Sequence, residues 1–240
     1  MACHGGPNII EDNLIFCADA VNTKSYPGIP WGVWYDIGSS GFTGSLTNMA
    51  ASNHTSGASG YFTFDGSNES VFFTSGIKIS VPPITISSWM KRNGSQANWA
   101  SPISGRQTSP SEAAFDFAVY SGDELRYTWE LQSSSWNYDP SITIPNNEWV
   151  MCAVSVTSSA ATLYMFELDG TVSKGTNTMT HNSATFPFDS AGDFTIGEDP
   201  VSGNNRFFKG DISTCLVYSK ALSQTELQQN FDAQKERYGL

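Results

Sequence analysis

The sequence is poor in charge, and poorest in basic residues. Only 15% of its 240 residues are charged, and 12 Lys and Arg stand against 23 Asp and Glu, which gives a formal net charge of −11. A negative field of this size repels phosphate backbones and anionic lipid surfaces. The composition therefore argues against nucleic acid and membranes as partners.

Segments for export or membrane insertion are missing too. No Lys or Arg precedes Lys24, and Gly5, Gly6 and Pro7 interrupt the start, so the basic and apolar parts of a secretory signal are not encoded. The most apolar run, residues 149–154, is much shorter than the roughly 20 residues of a membrane helix. We therefore expect a soluble chain without a secretory signal, folded in a cytoplasm.

Cysteine patterns for metal binding are absent. The four cysteines, Cys3, Cys17, Cys152 and Cys215, are scattered, with no CxxC pair and no histidine at ligand spacing. A zinc site therefore has no support. We expect reduced thiols that pack as small hydrophobes, with a Cys3–Cys17 disulfide as the minor alternative.

What the sequence has is period-two alternation of β-branched and aromatic residues with polar ones. The alternation runs from residue 60 to residue 218, and clusters of Gly, Pro, Asn and Asp break it at short intervals. This pattern is typical of an antiparallel β-sandwich. It predicts strands at 61–64, 71–73, 84–91, 115–120, 124–130, 149–156, 162–168, 194–197 and 207–218. The Asp169–Gly170 pair predicts a type I′ hairpin turn.

One helix is predicted, near the C-terminus. Ser223 and Glu226 have the spacing of a capping box. Leu227 and Phe231 lie one turn apart and form a narrow apolar stripe. We expect the helix to begin at Ser223 and to end near Arg237. No linker divides the rest, which predicts an N-terminal arm over residues 1–12 and one domain over residues 13–240.

Short sequence words follow one another in a defined order along nearly the whole chain. They are LIFCADAVNTKSYPG from Leu14, WYDIG from Trp34, FDGSN from Phe64, TISSWMK from Thr85, NEW from Asn147, IG from Ile196 and FKGDI from Phe208. Their order resembles that of the concanavalin A-like lectin/glucanase superfamily, in its laminin-G-like jelly-roll branch. The resemblance implies an all-β, two-sheet antiparallel jelly-roll sandwich, to which the capping box adds one short C-terminal α-helix.

Paired carboxylates at catalytic spacing are not found in the sequence. Glucanases of this superfamily carry two catalytic carboxylates close together on one strand, and a retaining glycosidase needs them about 5 Å apart. Glu124 and Glu130 would be roughly 20 Å apart, and Glu167 and Asp169 flank a hairpin turn. No Gly-x-Ser-x-Gly elbow, P-loop or dinucleotide-binding pattern occurs. We therefore expect a protein that is not an enzyme, with a glycosidase as the minority alternative.

Aromatic residues in polar loops are the candidates for carbohydrate binding, because sugars stack on exposed rings. Trp99, Trp136 and Tyr138 have Asn, Gln and Ser neighbours that suit this role. An equal alternative is that these rings cover loops or contact a partner subunit. Trp89 and Trp149 belong to strands and are predicted to lie in the core.

Calcium is the one cofactor that the resemblance implies. Several superfamily members hold it through loop carboxylates and carbonyls, and the corresponding positions here are Asp65, Asn68 and Asp211. The favoured alternative for Asp65, which precedes Gly66, is a turn.

The closing segment is the most specific part of the resemblance. It reads YSKALS from Tyr218, ELQQNF from Glu226 and RYG from Arg237, and it is similar to an ending common in structural proteins of tailed bacteriophages. This implies a virion protein, namely a capsid decoration, neck or tail-fibre component whose partners are other virion proteins and host-surface glycans. Such components are often homo-oligomers, but no residue pattern defines a symmetry here. A free carbohydrate-binding module is the alternative function.

Overall fold

A computed structural model describes residues 8–28, 32–74, 76–106, 113–120, 122–129, 138–187, 194–200 and 206–239. The strands in this part of the chain are β1 Leu14–Asp19, β2 Val33–Tyr35, β3 Thr43–Thr47, β4 His54–Thr55, β5 Tyr61–Asp65, β6 Ser70–Thr74, β7 Ile79–Val81, β8 Ile84–Arg92, β9 Ala100–Arg106, β10 Ala113–Tyr120, β11 Glu124–Trp129, β12 Val150–Val156, β13 Ala161–Glu167, β14 Val172–Asn177, β15 Ala184–Phe186, β16 Phe194–Ile196 and β17 Lys209–Tyr218.

The strands form two large antiparallel sheets that pack face to face. The eight-stranded sheet has the order β14-β13-β12-β8-β17-β5-β4, with β1 also paired to β17, and the seven-stranded sheet has the order β11-β10-β9-β16-β6-β3-β2. A short pair, β15-β7, lies apart from both. The predicted all-β, two-sheet jelly-roll sandwich is confirmed.

The main core lies between the two sheets and follows the alternation of the sequence. In β11, Leu125, Tyr127 and Trp129 are fully buried and belong to this core. On the opposite face of the same strand, Arg126 is half-buried, as expected for a face near solvent. Thr128 is the exception on that face, because it is only 3% exposed.

A second core lies on the outer face of the eight-stranded sheet, beneath the C-terminal helix. The helix α1 spans Gln224–Gln234 and continues as a 3-10 turn over Lys235–Tyr238. Ser223 caps it as predicted, since its hydroxyl accepts the Glu226 N–H and the Glu226 carboxylate accepts the Ser223 N–H. The regular helix therefore ends three residues before Arg237, where the chain tightens into the 3-10 turn.

The buried face of α1 is wider than its apolar stripe. Asn230 and Gln234 are buried along with Leu227 and Phe231. The Asn230 amide donates to the Tyr218 hydroxyl at 3.0 Å, and its carbonyl oxygen accepts the Ile10 N–H at 2.7 Å. Because these polar groups are paired, they can be buried at little cost. The described part of the predicted N-terminal arm is thus attached to the helix.

The hairpin between β13 and β14 forms where Asp169–Gly170 predicts it, but the turn type differs. Gly170 has a φ of 93°, whereas Asp169 is not among the residues with positive φ. The Gly170 N–H donates to the Glu167 carbonyl, and the Glu167 N–H donates to the Thr171 carbonyl. This is a type I turn with a glycine bulge, which needs one left-handed residue instead of two. The type I′ prediction is wrong.

The cysteines within the described residues are buried free thiols. Cys152 and Cys215 are fully buried in the strands, and Cys17 is 7% exposed. The free thiol of Cys17 contradicts a Cys3–Cys17 disulfide, and Cys3 itself lies outside the described residues.

Trp89 is fully buried as predicted, whereas Trp149 is only half-buried at the rim of the second core. No helix of the described chain has the length and apolar character needed to cross a membrane.

A buried polar cluster joins the two sheets at one edge of the sandwich. Strand β11 borders one sheet and β14 borders the other, and the Asn177 amide of β14 donates to the Tyr127 hydroxyl of β11 at 3.1 Å. The same hydroxyl lies 2.8 Å from Nε2 of His181, which is 3% exposed. Either atom of this pair can be the donor, depending on the tautomer of the imidazole.

Acidification should destabilise the fold through His181. Burial lowers the pKa of this imidazole below its ordinary value, so the folded state favours the neutral form, and the associated stability is lost as the pH falls through and below about 6.5. We expect the free energy of unfolding to fall more steeply between pH 7.5 and 5.5 in the wild type than in His181→Gln. Urea titrations over this range measure it, and equal slopes would contradict the expectation.

Candidate functional site

Three side chains form a cluster on the outer face of the seven-stranded sheet, at the β10–β11 hairpin. The ring centroids of Trp99 and Tyr120 are 4.7 Å apart, with the ring planes tilted by 54°. The guanidinium carbon of Arg126 lies 4.3 Å from the Tyr120 ring centroid. All three residues are half-buried. Together with Glu124 and Asp139, which contact Arg126, they make up the Trp99 site.

The hairpin geometry directs these side chains outward. Tyr120 and Glu124 face each other at the end of the β10–β11 ladder. The connection turns through Gly122 and Asp123, which have φ values of 82° and 61°, and the Asp123 N–H donates to the Tyr120 carbonyl at 2.9 Å. Tyr120, Glu124 and Arg126 share the outer face because their neighbours along each strand point into the core.

The loop that carries Trp99 is fastened to the strands around it. The Gln96 side chain accepts the Lys209 N–H at 2.9 Å and donates to the Lys209 carbonyl at 2.8 Å. The Gln96 N–H donates to the Asp123 carboxylate, which also pairs with Arg92 at 3.0 Å. Trp99 has a φ of 64°, a conformation that a bulky residue adopts only where its surroundings impose it. The loop therefore presents the indole in a fixed position.

Two carboxylates flank the guanidinium of the Trp99 site. Nη2 of Arg126 lies 2.7 Å from Oδ2 of Asp139 and 3.2 Å from Oε2 of Glu124. Asp139 is oriented in turn by the Ser141 N–H, which donates to its other oxygen at 2.7 Å. The Arg126 side chain is 12% exposed, whereas those of Glu124 and Asp139 are 28% and 30% exposed. Hydrogen-bond acceptors are thus available to a ligand beside the two rings.

The Trp99 site places hydrogen-bonding groups next to aromatic surface. Because both carboxylates contact one nitrogen of Arg126, their contacting oxygens are no more than about 6 Å apart, which is near the spacing of a retaining glycosidase. Both carboxylates contact the Arg126 guanidinium through the same nitrogen. The same groups can accept hydrogen bonds from hydroxyls while the rings contact C–H surfaces.

The structure describes two of the three residues predicted to bind carbohydrate. Trp99 lies in the cluster. Tyr138 is half-buried, packs against the core at the sandwich edge and has its ring centroid 5.8 Å from that of Tyr127. Burial raises the pKa of the Tyr138 hydroxyl. Trp136 lies outside the described residues.

Three members of the site, Tyr120, Arg126 and Asp139, were not predicted from the sequence. Tyr120 and Arg126 belong to strands, and alternation along those strands marks them only as outward-facing residues. Asp139 follows a loop, and its contact with Arg126 depends on how that loop returns. Alternation in β10 and β11 shows which residues face outward. It identifies Tyr120 and Arg126 as neighbours only when the register of the hairpin between the two strands is also known.

Asp65 and Asn68 lie in the turn between β5 and β6. Oδ1 of Asp65 accepts the Ser67 N–H at 2.7 Å, and Gly66 has a φ of 81°. Asp65 therefore forms the turn that the sequence favours at this position. Hydrogen bonding with the Glu69 carboxyl lowers the pKa of Asp65. Asn68 is exposed, and its backbone carbonyl accepts a hydrogen bond from the Asn48 side-chain amide at 2.9 Å.

Asp211, the third predicted calcium residue, has partners for both carboxylate oxygens. Oδ1 accepts from the Thr63 hydroxyl and Oδ2 pairs with Lys91, each at 2.8 Å. Asp211 faces Thr63 whereas Asp65 faces Lys209, so the two acids are diagonal neighbours about 7–8 Å apart. A calcium ion at Asp211 would meet the Lys91 ammonium, so these residues do not fit calcium. The described chain has no group of three His, Cys, Asp or Glu side chains placed for a metal.

Comparisons with solved structures find the same fold in other proteins at low sequence identity. Trypanosoma rangeli sialidase in complex with the inhibitor DANA matches 91% of this chain with a TM-score of 0.61 and 9% identity. The chain spans about a third of the sialidase, at 32% of its length. The binding domain of botulinum neurotoxin serotype G matches 91% of this chain and 50% of that domain, with a TM-score of 0.63 and 12% identity.

A third structure matches over its full length. Domain 4 of the GH43 extracellular arabinanase AbnA from Geobacillus stearothermophilus, in complex with arabinotriose, covers 92% of this chain and is itself covered completely, with a TM-score of 0.60 and 19% identity. The comparison with curated protein sequences gave no match. A laminin-G-type family model, described as the concanavalin A-like lectin/glucanases superfamily, matches residues 57–228, more than two thirds of the chain. This chain belongs to the concanavalin A-like lectin/glucanases superfamily.

Proposed function

We propose that this protein is a carbohydrate-recognition module without catalytic activity, and that it binds glycans at the Trp99 site. The observation that carries the proposal is the Trp99–Tyr120 ring pair, bordered by Arg126 between two carboxylates on a fixed loop. A sugar ring stacks its C–H surface on aromatic faces while polar groups orient its hydroxyls. The arabinotriose complex of the arabinanase domain gives further support, because it involves a protein of this fold.

Hydrolysis is not part of the proposal. The close carboxylate pair of the Trp99 site is bridged by Arg126, whose Nη2 contacts both carboxylates. A catalytic pair has to present both carboxyls to the sugar, one of them at the glycosidic oxygen. Incubation of the protein with the glycans it binds should release no shorter sugars, and chromatography of the products measures this. Release of sugars that stops in Glu124→Gln or Asp139→Asn would assign the pair to catalysis and overturn this part of the proposal.

We further propose that the protein is a component of a bacteriophage particle. The segments YSKALS, ELQQNF and RYG are similar to the ending of tailed-bacteriophage structural proteins, which supports a capsid decoration, neck or tail-fibre component. Its partners would then be other virion proteins and host-surface glycans. Mass spectrometry of purified particles tests the setting, and absence of the protein from them would leave a free carbohydrate-binding module as the function.

Substitution of Trp99 tests the site itself. We expect Trp99→Ala to raise the dissociation constant of the bound glycan at least about tenfold, because losing a stacking ring costs on the order of 1.4 kcal/mol or more. Glycan-array screening identifies the ligand, and isothermal titration calorimetry measures the change.

The matched control is Tyr35→Ala. Tyr35 is a 37% exposed aromatic residue of the same sheet, in the edge strand β2 at the opposite side from β11. This variant should bind like the wild type. Equal affinity of wild type and Trp99→Ala, or no glycan bound at all, would reject the proposed site.

A further inference from the structure

A pocket of about 410 Å³ lies away from the Trp99 site, beside the C-terminal helix. Its walls come from the end of β1 and the turn after it, the loop that precedes β5, and the end of α1 with the 3-10 turn. Small-molecule sites in proteins have volumes of about 300–1,000 Å³. The pocket is therefore large enough for a small ligand.

An ion pair forms the polar floor of this pocket. Nη1 of Arg237 lies 3.0 Å from Oδ2 of Asp19, and their side chains are 23% and 10% exposed. The other carboxylate oxygen of Asp19 accepts the Val21 N–H at 2.9 Å, and the Ser25 hydroxyl accepts the Asp19 N–H at 3.0 Å. These bonds hold the carboxylate and the guanidinium in place before any ligand arrives.

The walls combine small aliphatic groups with hydrogen-bonding groups. Val21, Ala58 and Ala233 contribute methyl surface and leave the volume open. Asn22 and Thr23 line the same pocket with an amide and a hydroxyl. The pocket thus offers donors and acceptors together, next to an apolar surface.

The charges of the pocket disfavour one class of ligand. Asp19 and Arg237 neutralise each other, and the exposed Glu236 adds a carboxylate that makes no ion pair within the described chain. The pocket is therefore net negative in a chain of net charge −11, which disfavours anionic ligands. Neighbouring hydroxyls of a sugar each donate and accept, and a carboxylate beside a guanidinium and an amide satisfies both needs.

We propose that this pocket is a second binding site, which takes an uncharged saccharide residue. The site goes beyond the proposed function at Trp99, since it shares no residue with that site and holds its ligand by hydrogen bonds and methyl contacts without an aromatic platform. A ligand there would contact both the end of β1 and the 3-10 turn that follows α1.

The test uses the full chain carrying Trp99→Ala, so that only the second site is observed. Saturation-transfer NMR and calorimetry are run with D-glucose, D-galactose and L-arabinose as neutral probes, and with D-glucuronate and D-glucosamine as charged probes. We expect a neutral sugar to bind, and Ala233→Leu, which fills the pocket, to weaken that binding at least about tenfold. Asn22→Ala removes one amide without filling the pocket and should weaken it as well.

The control is Ser159→Leu, an exposed position in the β12–β13 turn, which should bind like the parent. Thermal unfolding of each variant verifies that it is folded. Unchanged affinity in both Ala233→Leu and Asn22→Ala, tighter binding of a charged probe, or no binding of any neutral probe overturns the second site. Loss of all sugar binding in Trp99→Ala would also overturn the second site, but it would support the Trp99 site. The second site and the Trp99 site can therefore be rejected independently of each other.

Discussion

Trp89→Ala should lower the free energy of unfolding by about 3–5 kcal/mol, the range for removing a large buried ring. Trp89 is fully buried in β8 between the eight-stranded sheet and the C-terminal helix. Its ring stacks on Phe231 and Tyr238, with centroid distances of 5.2 Å and 4.2 Å. Its indole N–H donates to the Gln234 side chain at 2.9 Å. The substitution leaves a cavity and an unpaired buried amide oxygen at once.

Trp89→Phe separates the two contributions. Phenylalanine keeps an aromatic ring against Phe231 and Tyr238 but cannot donate to Gln234, so we expect a smaller loss of about 1–3 kcal/mol. Guanidinium chloride unfolding measures both variants. Hydrogen exchange should locate the damage, because the amides of α1 should lose protection before those of the sheet. A loss below about 1 kcal/mol for Trp89→Ala would mean that the helix is held by other contacts.

The strands that were predicted most closely are buried on both faces. The prediction for residues 84–91 matches β8, and that for residues 149–156 matches β12, because both strands are rich in β-branched and apolar residues. Strand β9 was missed. Its sequence ASPISGR contains a proline and a glycine, and its strand form depends on pairing with β10 and β16. Long-range pairing of this kind leaves no local signal in the sequence.

The polar face of α1 was missed for a related reason. The stripe of Leu227 and Phe231 is visible in the sequence, whereas Asn230 and Gln234 resemble surface residues. Their burial depends on hydroxyl and indole groups of Tyr218 and Trp89, which the chain brings from distant strands. The position of the helix was therefore predictable, but the extent of its buried face was not.

The candidate site was predictable only in part. Trp99 could be found as an aromatic residue in a polar loop. Its partners Tyr120, Arg126 and Asp139 could not, because their convergence depends on the hairpin register and on the return of the following loop. The pocket beside α1 combines residues from the two ends of the chain, Asp19 and Arg237, so no sequence window contains it.

Gly210→Ala should lower the free energy of unfolding by more than about 4 kcal/mol. Gly210 lies in β17 and faces both Phe64 of β5 and Arg92 of β8. A Cβ atom there would lie 2.2 Å from the Lys91 carbonyl oxygen and 2.9 Å from the Arg92 Cα. Both atoms belong to the backbone of a neighbouring strand, so the clash cannot be relieved by turning a side chain, and the sheet must separate.

The control for this prediction is Gly170→Ala in the β13–β14 turn. Gly170 has a φ of 93° and no atom within 4 Å of an added Cβ, so its substitution costs only the backbone strain of about 1–2 kcal/mol. Urea unfolding should therefore rank Gly170→Ala well above Gly210→Ala in stability, and equal losses would show that backbone strain dominates at both sites.

Gly210 also follows Lys209, whose backbone holds Gln96 in the Trp99 loop. Any folded Gly210→Ala protein should accordingly bind glycan more weakly than Gly170→Ala, which links the centre of the sheet to the recognition site.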